Sequence, residues 1–129
     1  MDKVTQFSIA LENVPGQLGR LCRVLTQADV NIRAISISDA ADLSTIRLLV
    51  SNTTAAKRAL REAGITFVTQ EVLLIEVEDK PGALEDVALR LGEAGINVQY
   101  VYGMGDGGKG FARMVLRVSD VDRAKQVLA

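Results

Sequence analysis

The chain of 129 residues contains no histidine and no tryptophan, and it has one cysteine and two prolines. Histidine is the side chain that most often acts as an acid, a base or a metal ligand near neutral pH, so its absence disfavours a catalytic or metal centre. The single cysteine, Cys22, cannot form a disulfide within the chain. We therefore expect a protein that is not an enzyme and that has no cofactor and no bound metal.

Neither sign of charge is in excess. The chain has 15 basic and 16 acidic side chains, and only 4% of its residues are aromatic. A basic surface and aromatic side chains are what nucleic-acid binding normally requires. The apolar runs are too short to span a bilayer, and the first residues lack the pattern of a secretory signal. The sequence thus predicts a cytoplasmic protein with no nucleic-acid or membrane partner.

The sequence contains an internal repeat. Pro15 and Pro81, each followed by glycine, lie 66 residues apart, and Asn31 and Asn97 have the same separation. Neighbouring apolar residues coincide in the same alignment. Such self-similarity indicates duplicated structural units. We expect two domains, residues 1–70 and residues 71–129.

Each repeat has the same pattern of strands and helices. Alternating apolar residues at Phe7, Ile9 and Leu11 predict a strand, and helical spacing of apolar residues after the Pro-Gly pair predicts a helix. A hairpin and a second helix follow. The order β-α-β-β-α-β predicts an α+β fold of two ferredoxin-like units, each an antiparallel sheet with helices on one face.

The second repeat is shorter than the first. Residues 65–78 are expected to form one continuous strand that joins the two units, whereas the second repeat ends at Leu128 and Ala129, inside its second helix and without a last strand. An open sheet edge has to be covered. The sequence therefore predicts that the other unit or a second chain supplies this strand, unless the chain is truncated, and a homodimer formed by strand sharing is the expectation.

Residues 103–108 match the dinucleotide-binding pattern G-x-G-x-x-G. That site requires a helix directly after the glycines, whereas residues 111–118 alternate as a strand. We predict no nucleotide site there.

The repeated motifs resemble those of the ACT domain. They are the turn Asn/Asp-x-Pro-Gly-x-Leu at residues 13–18 and 79–84, and the turn into the second strand at residues 28–32 and 94–98. The resemblance covers nearly the whole chain and is closest to stand-alone tandem ACT proteins. It implies an allosteric regulatory protein that senses a small molecule, typically an amino acid, at an interface and acts on an enzyme of amino acid metabolism.

The Pro-Gly turns have the chemistry to hold an amino acid. The first turn of a helix exposes unpaired N–H groups and the positive end of the helix dipole, which suits a carboxylate. Asn13 or Asp79 can accept a hydrogen bond from the ammonium group. The candidate ligand-binding residues lie in the repeated turns: Asn13, Val14, Pro15, Gly16, Gln17, Leu18, Asn31, Ile32, Asp79, Lys80, Pro81, Gly82, Ala83, Leu84, Asn97 and Val98.

Each motif also has a purely structural interpretation. Pro-Gly is a common way to start a helix, and Asn31 and Asn97 are residue types that close turns readily. The alternative function is a ligand-free ACT-like scaffold that dimerises or docks on a metabolic enzyme.

Overall fold

The computed structural model describes residues 1–106 and 108–129. The chain divides into two compact units. The N-terminal unit is Thr5–Gln70, and the C-terminal unit is Met1–Val4 together with Glu71–Ala129. The domain boundaries expected from the sequence include residues 1–4 in the first domain, whereas in the structure these residues group with the second unit.

The N-terminal unit has four strands and two helices. Its strand order is β2-β3-β1-β4. The elements are β1 (Asp2–Glu12, from Thr5 onward), α1 (Gln17–Gln27), β2 (Ile32–Ala40), β3 (Leu43–Val50), α2 (Thr53–Glu62) and the first residues of β4 (Phe67–Glu78).

The C-terminal unit repeats this plan. Its strand order is β1-β4-β6-β5, with β1 represented by its first residues and β4 by its last. The remaining elements are α3 (Ala83–Glu93), β5 (Val98–Asp106), β6 (Phe111–Val118) and α4 (Val121–Leu128). The duplicated βαββαβ fold predicted from the sequence is thereby confirmed.

Strand pairing shows the duplication at the level of single residues. Phe7 of β1 pairs with Leu48 of β3, and Leu73 of β4 pairs with Leu116 of β6, in antiparallel ladders of equivalent position. All four side chains are completely or almost completely buried. The same apolar alternation therefore builds the centre of the strand arrangement in each unit.

The last strand of the C-terminal unit comes from the beginning of the chain. Residues 2–4 of β1 occupy the position beside β4 that the second repeat leaves open. This is one of the two sources expected from the sequence. The open position therefore does not require a second chain, because residues of the same chain fill it.

Each unit has its own apolar core between sheet and helices. The first core consists of Phe7, Ile9, Leu11, Leu21, Leu25, Val30, Ile46, Leu48, Ala56, Leu60 and Ile65. The second core consists of Leu73, Ile75, Val87, Leu91, Ile96, Leu116, Val118, Val121 and Ala124.

The element that follows the glycine-rich residues 103–108 is the strand β6. A dinucleotide-binding site would need a helix there. Residue 107 of that motif lies outside the described residues. Among the helices that the structure describes, none has the length and apolar character needed to cross a membrane.

Candidate functional site

The two Pro-Gly turns have the same backbone geometry. Gly16 has φ of 91° and Gly82 has φ of 89°, and the helices α1 and α3 begin at the next residue. Positive φ is readily adopted only by glycine, because a Cβ atom would be strained there. We call residues 13–18 the first corner and residues 79–84 the second corner.

The helices that start at the corners differ from the other two in how they are capped. No side chain caps α1 or α3. In contrast, Asn52 Oδ1 accepts from the Ala55 amide at 3.0 Å, and Asp120 Oδ1 accepts from the Arg123 amide at 3.0 Å. The first amides of a helix have no acceptor inside the helix. At both corners the N-cap residue is a glycine, so it has no side chain that could occupy these amides.

One amide of the second corner is already used. The Ala83 N–H donates to the Lys80 carbonyl oxygen at 3.3 Å, which closes the turn before α3. The regular helical pattern then begins with the bond from the Asp86 N–H to the Gly82 carbonyl oxygen at 3.0 Å. The amides of Gly82, Leu84 and Glu85 are the ones that the geometry of a helix start leaves for an anion.

A groove of about 480 Å³ lies beside the second corner. It is formed within the C-terminal unit by β4, the corner, one face of α3 and the end of α4. Its lining residues are Met1, Ile75, Glu76, Val77, Glu78, Lys80, Pro81, Gly82, Ala83, Asp86, Val87, Arg90 and Leu128.

The groove combines an apolar floor with charges of both signs. Ile75 and Val87 are 3% and 8% exposed and belong to the second core. Lys80 Nζ lies 2.7 Å from Glu78 Oε2, and Arg90 Nη1 lies 3.9 Å from Asp86 Oδ2. A molecule that carries an ammonium, a carboxylate and an apolar side chain finds a complementary group for each part.

The contact between Lys80 and Glu78 moves the pKa of each side chain further from neutral pH. The hydrogen bond and the charge of Lys80 lower the pKa of Glu78, and the same contact raises the pKa of Lys80. Both side chains are therefore charged at neutral pH.

Arg90 is held by a second contact. Its Nη2 donates to the Val127 carbonyl oxygen at 2.8 Å, near the end of α4. A guanidinium at a helix C-terminus stabilises the unpaired carbonyl groups there. This bond fixes the position of Arg90 in the groove wall.

The first corner has a different surface. The cavity next to it, of about 400 Å³, is lined by Gly16, Gly19, Arg20 and Arg23. Both charged side chains in this lining are cationic, and no acidic residue is present in it to receive an ammonium group. The two corners thus share a backbone but differ in chemistry.

Asn13 and Asp79 occupy equivalent positions before the prolines. Asn13 Nδ2 donates to Asp39 Oδ1 at 2.7 Å and to the Ala41 carbonyl oxygen at 3.2 Å, which ties the first corner to the β2–β3 hairpin. The Asp79 amide donates to the Gly110 carbonyl oxygen at 2.8 Å. Both side chains are exposed, and neither lines the cavity at its own corner.

Asn31 and Asn97 make the same pair of contacts in their own units. The Asn31 N–H donates to Ser51 Oγ and its carbonyl oxygen accepts from the Ser51 N–H, both at 2.9 Å. Asn97 is bound in the same way to Ser119. All four bonds involve only the backbone of the two asparagines. The following residues, Ile32 and Val98, pack against the two cores.

The apolar residues of the corners are exposed. Val14, Leu18 and Leu84 are 48%, 41% and 37% exposed, and Pro15 and Pro81 are exposed as well. Gln17 and Ala83 are partly buried. Leu18 and Leu84 are in line with the apolar stripes of α1 and α3, yet they lie beyond the edge of the cores.

Of the candidate residues at the second corner, Lys80, Pro81, Gly82 and Ala83 line the groove.

Sequence reasoning missed most of the groove. Asp86, Val87 and Arg90 follow Ala83 at helical spacings of three, four and seven, so the face of α3 that continues the corner was recognisable from the sequence. Met1 and Leu128 have no such signal, since they reach the groove from the two ends of the chain. In the part of the chain that the structure describes, no cluster of His, Cys, Asp and Glu has a metal-binding arrangement.

Several solved structures resemble this chain. Protein BT0572 from Bacteroides thetaiotaomicron has 31% identity and a TM-score of 0.91, over 98% of this chain and 86% of that one. The regulatory subunit of aspartate kinase from Thermus flavus has 12% identity and a TM-score of 0.71, over 98% and 90%. Aspartokinase III of E. coli, crystallised with lysine and aspartate in the T-state, has 14% identity and a TM-score of 0.58, over 97% and 29%.

The last two likenesses concern the fold alone. No curated protein sequence matches the chain. The family comparison is specific, because the sequence description of the ACT domain pair matches residues 2–129. With both corners, both sheets and nearly the whole chain included in that match, the protein belongs to the ACT domain pair family.

Proposed function

We propose that this protein is a regulatory protein that binds a free amino acid in the groove beside the second corner. The observation that carries the proposal is the combination, in one groove, of an uncapped helix start, charges of both signs and an apolar floor. One fold relative is named a regulatory subunit of aspartate kinase, which supports a regulatory role. Another was crystallised with the amino acids lysine and aspartate, which is compatible with an amino acid as the ligand.

The carboxylate of the amino acid would bind at the start of α3. The amides of Gly82 and Leu84 belong to the helix start, where N–H groups have no acceptor within the helix, and Lys80 of the groove lining adds a positive charge. Hydrogen bonds to charged groups are roughly twice as strong as those between neutral groups. The rigid αL geometry of Gly82 allows a ligand to approach the backbone closely.

The ammonium group would bind the carboxylates of the groove. Glu78, on β4, and Asp86, on α3, both line the groove. Asp79, the residue first expected to accept from the ammonium, follows Glu78 directly in the chain. The side chain of the ligand would then cover Ile75, Val87 and Leu128. This favours an amino acid with an apolar side chain.

The second corner is a better site than the first on electrostatic grounds. A zwitterion needs an anionic and a cationic partner, and the cavity at the first corner offers cationic side chains, Arg20 and Arg23. We expect one occupied site per chain.

Regulation requires that the ligand bind one conformation or assembly more tightly than another. The partner that would respond is an enzyme of amino acid metabolism or a second copy of this chain. The cytoplasmic location expected from the sequence stays a prediction.

A thermal-shift panel of the protein amino acids at millimolar concentration tests the proposal. Binding raises the free energy of unfolding by RT ln(1 + [L]/Kd), which is about 2.7 kcal/mol at 100 times Kd. At least one amino acid is expected to raise the melting temperature. A full panel without any shift would contradict ligand binding and favour the ligand-free scaffold.

A matched pair of variants locates the site. Ala83→Leu fills the groove with a good helix former and is expected to abolish the shift. Gln17→Leu makes the equivalent change at the first corner and is expected to leave the shift intact. Equal loss in both variants, or in neither, would show that the ligand binds elsewhere.

A further inference from the structure

The first residues of the chain connect the groove to the strands of the C-terminal unit. Met1–Val4 belong to this unit, and we call them the strap. Residues 2–4 of the strap are the part of β1 that lies beside β4. Met1, directly before them, lines the groove at the second corner and is 42% exposed. Any change in the position of the strap therefore changes the lining of the groove.

The strap is linked to the groove through α4 as well. Lys3 Nζ donates to Asp122 Oδ1 at 3.0 Å, in the first turn of α4. At the other end of α4, Leu128 lines the groove, and the Val127 carbonyl oxygen accepts from Arg90 of the groove lining. A molecule bound in the groove is thus in reach of both elements, the strap and α4.

The strap takes little part in the apolar packing of its unit. Met1, Asp2 and Lys3 are exposed, and Val4 is partly buried. Among the described residues, the second core includes none of these four. The strap is held by its place beside β4 and by the exposed ion pairs of Lys3. Such a segment opens at a lower free energy than the unfolding of the unit, because the core stays packed.

The apolar part of the proposed ligand would contact the strap. The floor of the groove contains Ile75, Val87 and Leu128, and the strap adds the side chain of Met1 to the same lining. The flexible thioether of methionine adapts to apolar partners of different shapes. When the strap opens, the ligand loses this contact. A ligand that binds one state more tightly than another shifts the population towards that state.

We propose that an amino acid in the groove keeps the strap docked beside β4, and that the strap opens more often when the groove is empty. This inference rests on the proposed function. Opening uncovers backbone groups of β4, which are then a template for another strand. The ligand thereby controls whether this side of β4 is covered. The coupling is reciprocal, because undocking weakens ligand binding by the same factor by which the ligand favours docking.

Cleavage of the strap by a lysine-specific endoproteinase measures how often it opens. Cleavage after Lys3 requires that the strap leave the sheet, and its rate follows the open population when closing is fast relative to cleavage. Mass spectrometry of the intact chain detects the loss of residues 1–3. The probes are valine, leucine, isoleucine, methionine and phenylalanine, each added alone at millimolar concentration. The one with the largest thermal shift is expected to slow this cleavage about tenfold, a typical factor for coupled sites.

Two variants and a second measurement are the controls. Ala83→Leu, which fills the groove, is expected to remove the protection, and Gln17→Leu at the first corner is expected to keep it. Hydrogen exchange of the Leu91 amide, in α3 and at a completely buried position, reports the unfolding of the C-terminal unit. In ligand-free protein, the free energy of strap opening, from cleavage relative to an unstructured peptide of the same sequence, is expected to be the smaller of the two.

Cleavage after Lys3 that the bound amino acid does not slow overturns the inference and leaves the proposed function standing. An opening free energy equal to that of unfolding also overturns it, because the strap then does not open by itself. Equal protection in Ala83→Leu overturns it too, since the amino acid would act from outside the groove. A panel without any thermal shift contradicts the proposed function, and the inference fails with it.

The reciprocal effect is tested at Val4. Val4→Pro removes a backbone donor from the strap and disfavours its place beside β4, so it is expected to weaken binding of the same amino acid about tenfold. Val4→Thr keeps the donor and the β-branched shape, and should bind within about twofold of wild type. Isothermal titration calorimetry measures both. Wild-type affinity in a Val4→Pro protein that is folded by circular dichroism overturns the inference, and cleavage of the wild-type chain depends on neither variant.

Discussion

Lys3 Nζ donates to Asp122 Oδ1 at 3.0 Å, although 119 residues separate the two positions. The contact connects the first residues of β1 to the first turn of α4, and Glu71 Oε2 lies 3.8 Å from the same nitrogen. Chiefly the hydrogen bond to Asp122, and then the charges of Asp122 and Glu71, raise the pKa of Lys3. All three side chains are well exposed, so solvent screens the ion pairs.

Deletion of residues 2–4 is expected to destabilise the C-terminal unit strongly. The deletion removes the residues of β1 that lie beside β4 in this unit. The backbone groups of β4 that face them then lose their partners. Lys3→Ala, which removes only the exposed ion pairs, is expected to leave the melting temperature nearly unchanged. Urea unfolding of the two variants makes the comparison. An equally small effect of both would mean that residues 2–4 are not needed as a strand.

The source of this strand shows what the sequence could predict and what it could not. The alternation around Phe7 and Leu73 is strong enough to define two sheets, and the lack of a turn signal between residues 65 and 78 predicts the long strand β4. Asp2 and Lys3 are charged and exposed, and they carry no apolar pattern that would mark them as part of a sheet. Their place depends on tertiary structure, because only the folded chain brings its beginning beside β4.

For the candidate site too, one part could be predicted from the sequence and another part could not. The uncapped helix starts could be predicted, because Pro-Gly at a helix start has a definite backbone geometry and Gly82 adopts it. The difference between the two corners could not be predicted from the turns alone. It depends on Asp86 and Arg90, one and two helical turns further along α3, and on Met1 and Leu128 at the chain ends.

Loss of the cap of α2 is expected to cost stability. Asn52 Oδ1 accepts from the Ala55 amide, and Asn52→Ala leaves that amide without its partner. Replacement of a cap by alanine typically costs about 1 kcal/mol, whereas aspartate at the same position is an equally good cap. Chemical denaturation measures the free energy of unfolding of Asn52→Ala and of Asn52→Asp against wild type. The cap is not stabilising if the alanine variant unfolds at the same denaturant concentration as wild type.

Amino acid binding is expected to be nearly independent of pH between about pH 5.5 and 7, the interval in which histidine ordinarily titrates. The chain has no histidine, and the Lys80–Glu78 contact lowers the pKa of Glu78 and raises that of Lys80. A lowered carboxyl pKa means that the charge of Glu78, and the stability it contributes, is kept at neutral pH. It is lost only as the pH falls through that lowered value.

Isothermal titration calorimetry with the amino acid found in the panel measures this pH dependence. The dissociation constant should stay within about twofold across the interval and rise in more acidic solution as Glu78 is protonated. Glu78→Gln removes the titrating group and is expected to bind more weakly, with a dissociation constant that rises less in acid. A tenfold change between pH 5.5 and 7 would contradict the assignment of the ammonium to carboxylates of the groove.

Leu60 and Leu128 occupy equivalent positions in α2 and α4 but differ in burial. Leu60 is 0% exposed, and its carbonyl oxygen accepts from the amide of Ile65, a further member of the first core. Leu128 is only partly buried and forms part of the groove wall. The cost of removing a leucine side chain depends on how completely it is packed.

Leu60→Ala is therefore expected to cost about 2 to 5 kcal/mol, the range for fully buried leucine, and Leu128→Ala clearly less. Leu89→Ala, at a position 58% exposed, is the surface control and should have little effect. Because the two leucines belong to different units, the unfolding of each unit has to be followed by its own probe. Equal costs at both positions would mean that Leu128 is as well packed as Leu60 and that the groove is closed in solution, which would leave no room for the proposed ligand.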